Sequence, residues 1–190
     1  HYAKTDSSIK GLYIKADNNV NGFASCEELR QAVPDFKLSK KFVIAYGEVI
    51  SQSAYNVISV ADKIYCHPNG GVEWDGFATN LLFIKDLLDR LEIQPQIFYA
   101  GKFKSATEPL RASKMTDANR LQTTVWLNDL YERFLYQVAE NRKADTSFLK
   151  NLATHGLIRT PYNALQYHLV DGLKYDDEVK TELFKFIRQP

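Results

Sequence analysis

The run "KFVIAYGEV", residues 41–49, leaves the chain few architectures. Phe42, Val43, Ile44, Ala45 and Tyr46 follow one another without the polar alternation of a strand that has one wet face. A strand of this kind belongs in a parallel sheet covered by helices on both sides. "IKGLYIKAD" at 9–17, "KIYCHP" at 63–68 and "PQIFYAG" at 95–101 read as further strands, the last of them buried. Helical patterns lie between them. "ASCEELRQAV" has Ser25 as N-cap with Glu28 three residues on, the spacing of a capping box. "SAYNVISVA" is a short apolar helix, and "NLLFIKDLLDRL" at 80–91 sets Leu81, Ile84, Leu87, Leu88 and Leu91 on one stripe. "NGG" at 69–71 reads as a turn.

A long helix is predicted from about Thr116 to Lys143, its apolar positions Ala118, Leu121, Val125, Leu130, Phe134 and Val138 recurring every three to five residues. Shorter helices near 146–154 and 161–168, the segment "LVDGLKY" and a helix over about 176–188 follow. Strands alternating with helices predict an α/β fold with a mainly parallel sheet. With no linker or internal repeat, residues 1–190 are expected to form a single domain. The opening "HYAKTDSSIKGLYIK" reads as the last turn of a helix entering a strand, so the chain is expected to be a piece of something larger.

Charge argues against nucleic acid as a partner, since 24 Lys and Arg face 23 Asp and Glu. No apolar run approaches the roughly 20 residues of a membrane span, and no stretch reads as a secretory signal. Cys26 and Cys66 lack metal spacing and are expected to be small buried hydrophobes. His1, His67, His155 and His168 fall in no metal-ligand pattern. Neither a GxSxG elbow nor a glycine-rich nucleotide loop is present.

What remains is lysine chemistry. In "YAGKFKSATEPLRASKMT", residues 99–116, an apolar strand is expected to end where Lys102 and Lys104 stand. Strand alternation would point both to one side, with Phe103 opposite, so that each raises the potential felt by the other. A lysine base at neutral pH must be desolvated or crowded by cations, because an ordinary lysine is almost entirely charged there. Ser105 could hold such an amine, and Glu108–Pro109 would fix the next turn. By composition alone, two solvated lysines remain the alternative.

The same segment resembles the lysine-bearing stretch of the signal peptide peptidase A (protease IV) family of bacterial Ser–Lys peptidases. "IKGLYIK", "VIAYGEVISQSAYNVISVADKIYCHP", "WDGFATNLLFIKDLLDRLEI" and "GLIRTPYNALQYHLVDGL" agree with it in order and spacing. The resemblance implies a Clp-protease/crotonase-like fold, and it places this chain as the N-terminal half of the long, two-half form. The family's general base then falls on Lys104, with Ser105 as a possible orienting group and Lys102 a solvated neighbour. The position of the family nucleophile, aligned through "GEVISQSAYN", is Gln52, flanked by Ser51 and Ser53. Glutamine cannot attack a carbonyl as a hydroxyl does, so the chain alone is expected to be inactive and the serine to come from the other half. Asn21–Gly22 stands where the serine-bearing half has an oxyanion loop, and Trp74 and Phe77 either line a groove or pack in the core. The resemblance further implies cleavage of leftover signal peptides, no metal or cofactor, and a homo-oligomer, tetrameric in the long form. It implies a place on the outer side of the bacterial cytoplasmic membrane, with the membrane anchor outside this chain. Two rivals are a non-catalytic scaffold of the same fold and a crotonase-type acyl-CoA enzyme. Against the latter, no acid pair stands at a suitable oxyanion loop.

Overall fold

The computed structural model describes residues 2–17 and 19–188. Its elements run α1 (Tyr2–Thr5), β1 (Gly11–Lys15), α2 (Phe23–Lys37), β2 (Phe42–Ile50), α3 (Gln52–Ile58), β3 (Lys63–Val72), α4 (Lys85–Arg90), α5 (Glu108–Arg111), α6 (Asp117–Arg142), α7 (Thr146–Thr154), α8 (Pro161–Gln166), β4 (Gly172–Leu173) and α9 (Asp176–Arg188). The strands form one sheet in the order β1-β2-β3-β4, every neighbouring pair parallel. Residues 1–76 with 134–190 form one compact unit, and 77–133 form a second.

In the first unit β2 is covered on both faces, as its unbroken apolar run requires. Val43 and Ala45 point one way and Ile44 and Tyr46 the other, and all four are buried. Ile44 and Tyr46 pack with Tyr65 of β3 and Val179 of α9, flanked by Tyr13, Phe42 and Leu183. A second centre forms around Trp74, 1 % exposed, which meets Tyr55 edge-on and Phe134 at 5.2 Å and donates its indole N–H to the Leu149 carbonyl. Trp74 is therefore a core residue, and its one polar atom is satisfied where water cannot reach. Cys26 and Cys66 are buried and free, as expected.

Helix α9 is also fastened to the sheet by charge. Asp176 accepts from Tyr13 of β1 at 2.7 Å and Lys15 at 3.3 Å, and pairs with Lys180 at 2.7 Å. Hydrogen bonding from Lys180 first, then Tyr13, holds its carboxyl down at about 2.

Several expectations give way here. Helix α2 starts at Phe23 with an extended Gly22 as its cap and no side-chain cap bond, so Ser25 lies inside the first turn instead of capping it. "NGG" is strand, not turn: β3 runs through it, paired with β2 across a register shift between Gly47 and Val49. The glycines permit that irregular crossing, because a Cβ on Gly70 would stand 1.7 Å from the Glu48 carbonyl oxygen.

The larger departures are in the second unit, where the described residues include no strand. "PQIFYAG" is irregular and Phe98 is 93 % exposed. An apolar strand needs a neighbour to take its backbone groups, and the sheet that would supply one belongs to the first unit. The leucine stripe at 80–91 yields only α4. The Ile84 N–H is taken by the Pro109 carbonyl at 2.8 Å, which fixes the helix start at Lys85 and leaves Leu81 and Leu82 outside it and exposed. Helix α6 forms as expected, but Leu121 and Val125 of its stripe are exposed while Phe134 and Val138 are buried.

Two outcomes check this account by thermal and urea unfolding of the chain. Gly70→Ala lowers stability by about 1–3 kcal/mol through overpacking, whereas Phe98→Ser stays within about 0.5 kcal/mol. A pH series gives a further test. Because Asp176 has a folded value below its unfolded one, its contribution is complete above about pH 4 and fades as pH falls toward 2. Asp176→Asn flattens the stability curve in that window.

Candidate functional site

The lysine segment lies in the second unit as a loop between irregular chain and α5. Lys104 N–H donates to the Gly101 carbonyl at 3.3 Å, Ser105 N–H to Phe103 at 3.1 Å, and Glu108 N–H to Ser105 at 2.9 Å. Gly101 has φ +93°, a conformation glycine tolerates and side-chain-bearing residues rarely adopt. The loop is not a strand end, so the expected alternation fails. Lys102, Phe103 and Lys104 together border one open groove of about 770 Å³. Its other wall is the exposed stretch of α6, with Leu121, Val125, Trp126 and Asp129. Trp126, 55 % exposed, is its largest apolar surface. Lys102 and Lys104 are both exposed in this chain. Ser105 takes part through its backbone, which closes the turn leading to Glu108.

The loop leads to Glu108, expected from the sequence only to fix a turn with Pro109. Glu108 is 1 % exposed, and its carboxylate accepts from the hydroxyl of Thr116 at 2.5 Å, the Thr116 N–H at 3.3 Å and the Asn119 amide at 2.8 Å. Arg111 stands 3.5 Å away. Burial pushes this carboxyl up, but the bonds from Thr116 and Asn119, with the Arg111 charge, outweigh it and hold the group below the usual carboxylate range. Thr116 also receives the Asn119 N–H, so it caps the start of α6. The spacing Thr116–x–x–Asn119, matched by the capping box of Thr160 and Asn163 on α8, is the sequence signal for this arrangement. Nothing comparable in the sequence indicates Arg111, whose guanidinium lies 4.0 Å over the Tyr99 ring.

Gln52 belongs to the first unit, at the first position of α3, whose N-cap is Ser51. Both ends of its side-chain amide are engaged. Oε1 accepts from the N–H groups of Asp75 and Gly76 at 2.9 and 3.1 Å, and Nε2 donates to the Gly76 carbonyl at 2.8 Å. Glutamine therefore clamps the 75–76 backbone to the head of α3. The Ser53 hydroxyl donates to the Asn19 carbonyl at 2.8 Å and faces Ser51. Phe77, at the edge of the second unit, packs against Tyr131. Among the described residues no group of three or more His, Cys, Asp or Glu side chains is arranged to hold a metal, and no helix is long and apolar enough to cross a membrane.

A parallel sheet flanked by helices, in a chain whose second unit is helical and carries the lysine loop, defines an α/β protein of Clp-protease/crotonase-like architecture. The same fold is seen in a mutant of the membrane-bound stomatin-specific protease 1510-N, with a TM-score of 0.50 over 94% of this chain and 70% of that one at 14% identity. Residues 35–187 match the model of peptidase family S49, and the chain belongs to that family. It is 33% identical to Protease 4 of Salmonella typhi over 96% of its own length and 31% of that protein's. Identity to Protease 4 of Haemophilus influenzae is 34% over 74% of the chain. The chloroplastic serine protease SPPA of Arabidopsis thaliana is 25% identical over 95% of it. The chain thus spans less than a third of the length of each of these relatives.

The clamp by Gln52 is directly measurable. Gln52→Ala lowers unfolding free energy in urea by about 1–2 kcal/mol, because the Asp75 and Gly76 groups lose their partners.

Proposed function

We propose that this chain is the base-bearing part of a Ser–Lys endopeptidase that degrades leftover signal peptides, with Lys104 as general base and the nucleophilic serine supplied from outside residues 1–190. The observation that carries the reading is Lys104 on the wall of an apolar groove, in a family S49 chain. The glutamine at the nucleophile's counterpart supports the second half of it, since its amide is spoken for by the 75–76 backbone.

In this mechanism the serine hydroxyl gives its proton to the neutral amine of Lys104 as Oγ attacks the peptide carbonyl carbon. Backbone N–H groups hold the resulting oxyanion. The Lys104 ammonium then returns the proton to the departing amine, and water, activated by the same base, releases the acyl group. No metal or cofactor takes part. A lysine amine open to water is charged at neutral pH, so the base must be covered before it can act. The exposure of Lys104 in this chain by itself fits a site that another surface completes.

Exposed Phe98 and Trp126 support a partner of apolar character. That partner is the serine-bearing half of the same protein, in a homo-oligomer, tetrameric in the long form. The groove walls suit the apolar cores of signal peptides. The working place is the outer side of the bacterial cytoplasmic membrane, with the anchor in a segment outside this chain.

The same exposure of Lys104 also favours a second reading, in which this part is a non-catalytic scaffold. Hydrolysis of a fluorogenic apolar peptide separates the two. In the protein carrying its serine-bearing half, Lys104→Ala lowers kcat/KM by about 10²- to 10⁴-fold, the usual contribution of a general base, and residues 1–190 alone are inactive. Retained activity in Lys104→Ala leaves the scaffold reading.

A further inference from the structure

The loop that presents Lys104 is hung at both ends from one arginine. Its own backbone bonds, from Lys104 to Gly101 and from Ser105 to Phe103, close the turn on itself, and the Glu108 N–H joins the Ser105 carbonyl to the start of α5. At the far end, the Arg111 Nε–H donates to the Thr107 hydroxyl at 3.3 Å, and its terminal nitrogen meets the Glu108 carboxylate at 3.5 Å. At the near end, the carbon of the same guanidinium lies 4.0 Å over the centre of the Tyr99 ring. Glu108 is buried and bonded to Thr116 and Asn119 at the head of α6, so the arginine is itself referred to a fixed element. That element also forms the opposite wall of the groove.

We infer that Arg111, held by buried Glu108 and stacked on Tyr99, is the positioning residue that sets where the Lys104 amine stands over the groove. The inference rests on the reading of Lys104 as the base. A planar, delocalised cation suits the task in a way lysine does not, because it stacks on a ring and bonds in its own plane at the same time. Arg111→Lys keeps the charge and gives up that double contact. Tyr99 is half exposed, so shortening it loosens one end of the loop without opening a core. A base displaced by about an ångström loses much of its rate while binding is little affected.

The test uses the protein with its serine-bearing half and the same fluorogenic peptide. Tyr99→Leu and Arg111→Lys are expected to lower kcat by about 10- to 100-fold with KM little changed. The acid limb of their kcat/KM profiles moves to higher pH, because a loosened amine is more readily solvated. Tyr99→Phe, which keeps the ring face, restores most of kcat and returns the limb. If Lys104→Ala is inactive but Tyr99→Leu and Arg111→Lys keep wild-type kcat and pH profile, the positioning role is overturned and Lys104 stands as base. If the variants lose activity only in step with a fall in Tm, with the profile unmoved, the role is merely structural and the inference fails. If Lys104→Ala stays active, the reading of the base fails and takes this inference with it.

Discussion

From Val43 to Gly47, strand β2 has no solvent side. Val43 and Ala45 are sealed against one layer and Ile44 and Tyr46 against the other, so the strand can exist only once helices are in place above and below it. The remaining features of the first unit accommodate this demand. α9 is drawn over Ile44 and Tyr46 by Val179 and held by Asp176 against Tyr13 and Lys15. β3 can follow β2 past Gly47 only because Gly70 lets the two backbones approach where any side chain would collide. Gln52, at the turn out of β2, then fastens the start of α3 to the chain leaving β3.

The second unit is built on a different principle. Its described residues include no strand, and its regular structure is short apart from its share of α6. What organises it is a buried carboxylate. Glu108 accepts hydrogen bonds from Thr116 and Asn119 and pairs in charge with Arg111, and so fixes α5 against the head of α6, where few described side chains are buried. Such a network specifies geometry more than it stabilises, since desolvating the charge offsets much of what the bonds return. A scaffold that holds a loop still while leaving its apolar residues open is suited to a site shared with another surface. That is the condition a lysine base imposes, because its amine works only out of water.

Sequence patterning succeeded where burial is complete within the chain itself. The parallel α/β class followed from Phe42–Tyr46 and the alternation of strands with helices, α6 from its apolar spacing, and the places of α3, α7 and α9 agree with those expected. It failed where local pattern and tertiary partners diverge. "PQIFYAG" has the composition of a buried strand but lies in a unit whose described residues include no strand, and most of the stripe at 80–91 stays exposed. Helices of this length owe most of their stability to such packing. In the candidate site, Lys104 and the glutamine at position 52 could be named from the sequence. The groove shared with Trp126, the bonds that occupy Gln52, and the Arg111 contact with Tyr99 twelve residues earlier could not.

Residue order alone thus determined the fold class, the family-like order of segments and the chemical types available: a lysine in the loop, and a glutamine instead of a serine at position 52. These are properties of residue identity and order, which survive in the unfolded chain. Only the tertiary structure decided that Gly70 serves close approach instead of a turn, that Trp74 is core, and that Glu108 is the buried anchor beneath the lysine loop. Each of those depends on which atoms meet across long stretches of chain, and burial, satisfied hydrogen bonding and steric exclusion come into being only when they do.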